Sequence, residues 1–128
     1  MKHGLILSTL LVLALVGSTA PARAHHGAAA YDPGKTVTLK ATVTQFEWAN
    51  PHALIIFAVA GPDGLIEEWS AETAGPVMLV RAGWTKGTLK ARDEITIVGQ
   101  RARNGSRTML LQRVVLADGR ELTSFIPR

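Results

Sequence analysis

The cleanest pattern in the chain is the alternation over residues 36–44. Val37, Leu39, Ala41 and Val43 hold one phase, and Thr36, Thr38, Lys40, Thr42 and Thr44 hold the other. Period two with β-branched residues predicts a half-buried strand. The apolar phase then slips by one residue, to Phe46 and Trp48, as a β-bulge requires, and Asn50-Pro51 ends the strand. Residues 52–60 are almost continuously apolar and predict a buried central strand. Gly61-Pro62-Asp63-Gly64 predicts a hairpin loop. Over 65–73 a third strand follows, with Ile66, Glu68 and Ser70 on one face and Glu67, Trp69 and Ala71 on the other. Gly75-Pro76 opens a short helix running to Val80 or Ala82, because proline is well placed at a first helical position, and Gly83 stops it. A fourth strand is predicted over 94–100, an Asn-Gly-type hairpin turn at 103–106, and a fifth strand over 108–116. Asp118-Gly119 turns the chain into a short sixth segment at 122–125.

Three strands, a short helix and two or three more strands is the element order of the OB-fold. The expected class is all-β: a small five- to six-stranded OB-fold-like Greek-key barrel with one short helix between strands 3 and 4. An open β-sandwich is the rival arrangement. Residues 25–35, with three alanines and the turn signal Tyr31-Asp32-Pro33-Gly34, predict an irregular N-terminal arm. The barrel domain is then 36–128.

The first 24 residues follow a different pattern. Met1-Lys2-His3 is charged, residues 5–16 are apolar, and small residues lead to Ala22-Arg23-Ala24; this is the layout of a secretory signal peptide. The expected location is therefore the periplasm or the exterior. The apolar run of twelve residues is too short for a bilayer core that needs about 20. No later segment is longer, so no transmembrane span is expected in the mature chain. Removing residues 1–24 from 128 leaves 104, enough for one domain. Lys2 and Arg23 leave with the leader, and twelve basic residues then face ten acidic ones. Their distribution is uneven. Residues 41–80 contain no Lys or Arg but hold Glu47, Asp63, Glu67, Glu68 and Glu72, whereas 81–113 hold eight cations against Asp93 and Glu94. The chain has no cysteine, which excludes disulfides, thiolate metal sites and thiol catalysis.

Cleavage after Ala24 gives His25 the free α-amine, and an amine with an imidazole on one residue chelates a metal ion. Three nitrogens from His25 with His26 or His52 suit Cu(II), which leads the divalent affinity series. Cleavage after Ala22 instead leaves Arg23-Ala24-His25, whose third-position histidine also binds Cu(II) or Ni(II) through amine, amides and imidazole. The alternative is a solvated end. His52 follows Trp48-Ala49-Asn50-Pro51 in the loop between strands one and two, a ligand-binding loop in OB-folds. It is either a ligand or a turn histidine bonded to backbone. Roughly 11 extended residues span more than 30 Å, so the arm can bring His25 to it. Glu47 and Glu72, in the cation-free region, are weaker candidates for a carboxylate ligand or a group that fixes an imidazole tautomer.

The second reading needs no metal. Trp48, Asn50 and Trp69 would line a surface for an envelope glycan, peptide or protein partner, although tryptophans at such positions also serve as core. Nucleic acid is not an expected partner, because the basic residues lack interleaved aromatics. No nucleophile, zinc-protease or phosphate-loop motif is present, so no enzyme is expected.

Taken together, His25-His26-Gly27, Tyr31-Asp32, the run into Trp48-x-Asn50-Pro51-His52, Trp69-x-x-Glu72, Arg81-x-Gly83-Trp84 and residues 115–119 resemble one group. It is the small exported bacterial proteins of domain-of-unknown-function family 6152. The resemblance covers the mature chain and implies a small periplasmic β-barrel, with no established activity, substrate or cofactor. Members of that family often have glycine where this chain has Ala41 and Arg92.

Overall fold

The computed structural model describes residues 27–124. A single 3-10 turn at Ala28–Ala30 leads into β1 (Tyr31–Glu47), followed by β2 (Leu54–Ala60), β3 (Ile66–Glu72), α1 (Pro76–Arg81), β4 (Glu94–Ala102), β5 (Thr108–Val115) and β6 (Glu121–Thr123). β1 pairs antiparallel with both β2 and β4, β2 with β3, and β4 with β5. β3 and β5 also pair, in parallel, through Ser70–Thr108, Ala71–Met109 and Glu72–Leu110. The ring β1–β2–β3–β5–β4–β1 is thereby closed, and β6 extends β5 at the margin. This is the expected all-β arrangement, with α1 between β3 and β4. The open sandwich does not form, because the β3–β5 pairing closes the sheet.

Alternation decides which side chains fill the barrel. Val43 on β1, Ile55 and Phe57 on β2, Ala71 on β3, Ile97 on β4, and Leu111 and Val114 on β5 are all buried. Leu79 of α1 and Trp84 just after it complete the core, each essentially inaccessible. Of these nine, the seven Val, Ile, Leu and Phe side chains supply about 1.5–3 kcal/mol apiece on leaving water, before chain entropy is set against it. The slip in apolar phase late in β1 is a register shift between Val43 and Gln45. At Gly99, where the β4–β5 register shifts, a Cβ would lie 2.5 Å from the Leu110 carbonyl oxygen, so only glycine lets the strands approach there.

The N-terminal arm is shorter than its sequence suggests. Tyr31 already pairs with Ala102, and Thr36 with Gln100, so residues 32–35 bulge out of a continuing strand instead of preceding it. The turn chemistry is present but local: the Gly34 N–H donates to Asp32 Oδ1 at 3.0 Å. Tyr31 also carries β4 two residues further than expected. β1 stops at Glu47, which leaves Trp48 outside it, and β2 begins at Leu54 because residues 52 and 53 turn toward Thr73. The last strand ends at Thr123; Phe125, expected within it, lies outside the described residues.

Candidate metal centre

The loop between β1 and β2 is fastened to the segment following β3. Thr73 N–H donates to Ala53 O at 3.0 Å, and Ala53 N–H donates back to Ala74 O at 3.3 Å. The buried Thr73 hydroxyl sits 3.0 Å from Ala53 O and 2.8 Å from Ala74 O, and Ala74 N–H donates to the buried Ser124 Oγ at 2.9 Å. The Asn50-Pro51 bond in this loop is cis. His52 is therefore carried next to a residue, Ala53, whose backbone N–H and C=O are both satisfied by the segment after β3.

The ring of His52 lies between two acceptors. Nδ1 is 2.9 Å from Thr73 O, and Nε2 is 3.5 Å from Glu72 Oε1. A carbonyl oxygen only accepts, so Nδ1 carries a proton. The neutral ring then turns the lone pair of Nε2 toward a carboxylate oxygen; a proton there makes the contact an ion pair, and without one the exposed nitrogen is open to water or to a metal ion. The side chain of His52 is 45% exposed and that of Glu72 20%, so the pair is open to solvent on one side.

The other oxygen of Glu72 is held from beneath. Tyr31 Oη donates to Glu72 Oε2 at 2.9 Å across 41 residues of sequence, and the Tyr31 side chain is buried. Burial first, then the hydrogen bond and negative charge of Glu72, hold the Tyr31 phenol well above its ordinary pKa. Tyr31 thus stays a neutral donor and fixes the carboxylate that faces His52. A cavity of about 290 Å³ opens beside this chain of groups, lined in part by Ala30, Tyr31, Leu54, Glu72 and Thr108.

Of the residues singled out from the sequence, His52 and Glu72 are brought together. Glu47 is not: it is opposite Leu54, which separates it from Glu72, and its Oε1 accepts from Gln45 Nε2 at 3.1 Å. Among the described residues no group of three or more His, Asp or Glu is placed to hold a metal ion. His25 and His26 lie outside the described residues. Tyr31, read in the sequence as part of a turn, is the participant that sequence reasoning missed. It is the one tyrosine of the chain, but a contact 41 residues away leaves no local signal.

Trp69 and Trp48 have different surroundings. Trp69 is buried, donates from Nε1 to Glu67 Oε2 at 3.1 Å, and carries the Arg101 guanidinium 5.0 Å above its ring. Trp48 meets Phe46 edge to face at 5.6 Å, and Phe46 in turn meets Trp84. Trp69 is opposite Phe57, midway along β2, while Trp48 follows Glu47, which pairs with Leu54 at the start of that strand. Asn50 is exposed in the loop, with its amide oxygen toward Gly75.

A family model described as "Family of unknown function (DUF6152)" matches residues 13–112 of the chain. No curated protein and no solved structure matches it.

Proposed function

The chain belongs to the DUF6152 family of unknown function, and from its residues we propose that it is an exported copper-handling protein of the periplasm, binding Cu(II) through His25, His26 and His52. The observation that carries this reading is the Tyr31–Glu72–His52 chain of contacts. It presents an imidazole whose Nδ1 proton is committed to a carbonyl and whose Nε2 faces a carboxylate, the orientation in which a histidine binds a metal. It also ties the start of β1 to the same place. His26 is five residues before Tyr31, a tether of at most roughly 17 Å, so the terminal histidines are attached within reach of His52.

In this reading His52 Nε2 is one donor, and the amine and imidazole of the processed terminus are the others. Glu72 is a carboxylate ligand or an acceptor that tunes one, and Tyr31 positions it. Both the amine and the imidazoles must be unprotonated to bind. The ordinary pKa of an α-amine is about 7.7–8.0, so affinity falls in mild acid.

The test is Cu(II) titration of the untagged protein beginning at His25, read by competition with a chromophoric chelator and by the nitrogen couplings of the Cu(II) resonance spectrum. Sub-micromolar binding is expected, weakened about 10- to 100-fold by Glu72→Gln and by more in His52→Ala. Binding weaker than micromolar, or binding unaffected by N-terminal acetylation, overturns the proposal. The intact mass of secreted protein with and without EDTA fixes the cleavage site and any retained ion together.

One observation favours the metal-free alternative, a binding module for an envelope glycan, peptide or protein partner. A cavity of about 810 Å³ opens beside Val37, Leu39, Trp69 and Arg101. Chelator-insensitive ligand binding that disappears in Arg101→Ala would support it.

A further inference from the structure

The helix α1 is built the wrong way round for a helix that merely covers a barrel end. Of Pro76-Val77-Met78-Leu79-Val80-Arg81, only Leu79 is buried. Val77 is 64% exposed, Val80 59% and Met78 41%. At about 100° per residue, these three and Arg81 occupy the half of the helix opposite Leu79. The outward face is therefore apolar with a cation among it, and the Arg81 guanidinium lies 4.0 Å from the Met78 sulfur.

Charge along the following segment has one sign. From Thr73 to Arg92 the chain contains Arg81, Lys86, Lys90 and Arg92 and no Asp or Glu. All four cations are exposed, and none has an ion-pair partner among the described residues. Asp93 Oδ2 accepts from the Lys90 backbone N–H at 2.8 Å, and Asp118 pairs with Arg120 at 2.8 Å.

Val77, Met78 and Val80 are exposed on α1 with Arg81 among them, and three further exposed cations lie in the eleven residues that follow, a combination that fits an apolar and anionic surface. We propose that α1 and residues 81–92 form a docking face for an anionic phospholipid bilayer: Val77, Met78 and Val80 enter the boundary between headgroups and acyl chains, and the cations meet lipid phosphates. The hydrophobic contact supplies grip and the cations supply preference for anionic lipid, each worth up to about fivefold in affinity. A protein partner with an acidic, apolar groove is the competing occupant. The bilayer is favoured because the apolar face is convex and only six residues long, so it offers little for a groove to enclose. This inference is independent of the metal reading.

The barrel carries its own core and closed hydrogen bonding within residues 27–124, so the chain beginning at His25 is the form to test. It is sedimented with vesicles of phosphatidylcholine alone and with vesicles of equal parts phosphatidylcholine and phosphatidylglycerol. Binding is expected to the anionic vesicles, to weaken as salt is raised, and to drop at least about tenfold in Val77→Asp/Val80→Asp and in Arg81→Glu/Lys86→Glu. These side chains are exposed, so both variants should keep the thermal melt of the parent. Three results overturn the proposal: no binding to either vesicle, variants that sediment like the parent, or a dimer broken by Val77→Asp/Val80→Asp with no vesicle binding. The last would assign the face to a second copy of the chain.

Discussion

A Cβ placed on Gly75 would lie 2.6 Å from the carbonyl oxygen of Pro51. The backbone that precedes α1 and the loop that carries His52 are therefore in direct contact, and no larger residue fits between them. Gly75 itself has an extended backbone (φ −69°, ψ 162°) that any residue can adopt, so its requirement is space, not conformation. Gly75→Ala should lower unfolding stability by about 1–3 kcal/mol, because the Pro51 carbonyl has to move. Denaturant unfolding measures this. Cu(II) affinity, if His52 is a ligand, should fall in the same variant.

Tyr31 gives the fold an alkaline limit. Its phenol is held above the ordinary value of 10.0, so the folded chain keeps a proton that the unfolded chain gives up near that pH. The stabilisation is complete below pH 10 and declines as pH rises beyond it, by up to about 1.4 kcal/mol per pH unit. Tyr31→Phe removes the titrating group. It should cost roughly 1 kcal/mol at neutral pH through loss of the Glu72 hydrogen bond, and the difference from the parent should shrink above pH 10. A difference that stays constant across that range would contradict the assignment.

The alternation of 36–44, the bulge late in β1, the two hairpins and the proline-led helix were all legible, because each is set by residues within a few positions of one another. So was the element order, and with it the barrel. What could not be read were relations made across the sheet. The bulge at residues 32–35 looks like a turn in the sequence, since Asp32 and Gly34 make the same local hydrogen bond in either setting; only pairing with Ala102 shows that the strand goes on. His52 and Glu72 were each visible as candidates, but nothing local says that Leu54 and Glu72 are opposite one another, or that Tyr31 reaches the same carboxylate. Trp48 and Trp69 are both prominent in the sequence, but Trp69 is buried opposite Phe57, midway along β2, whereas Trp48 lies beyond Glu47 at the start of that strand.

Arg92 is the residue most at odds with its backbone. Its φ is 76°, in the left-handed region, where an L-side chain crowds the following carbonyl and glycine does not. The turn persists because Arg92 N–H donates to Val43 O at 2.8 Å, joining it to the end of the β1–β4 pairing. A glycine at this position relieves the crowding. Arg92→Gly should raise stability by about 1 kcal/mol, less the extra entropy of the unfolded chain, read as a higher denaturation midpoint at unchanged slope. It should also cost a few-fold in affinity for anionic vesicles, because one of the four cations is lost. A variant that is less stable than the parent would mean that the Arg92 side chain makes a contribution larger than its strain.

Ser124 supports the His52 loop from the far end of the chain. Its hydroxyl is fully buried and accepts from Ala74 N–H, and Ala74 O in turn accepts from Ala53 N–H. Ser124→Ala leaves the Ala74 amide buried without an acceptor. The loss should be about 1–3 kcal/mol, more than the small change in volume explains. Because the stranded group belongs to the segment that clasps the β1–β2 loop, the effect should also be local. Amide exchange at Ala53 and Thr73 should accelerate beyond the global change, while amides of the β1–β4 pairing follow global stability alone. Equal acceleration everywhere would make Ser124 an ordinary core residue. Selective acceleration would make it the residue that keeps the imidazole of His52 between Thr73 and Glu72.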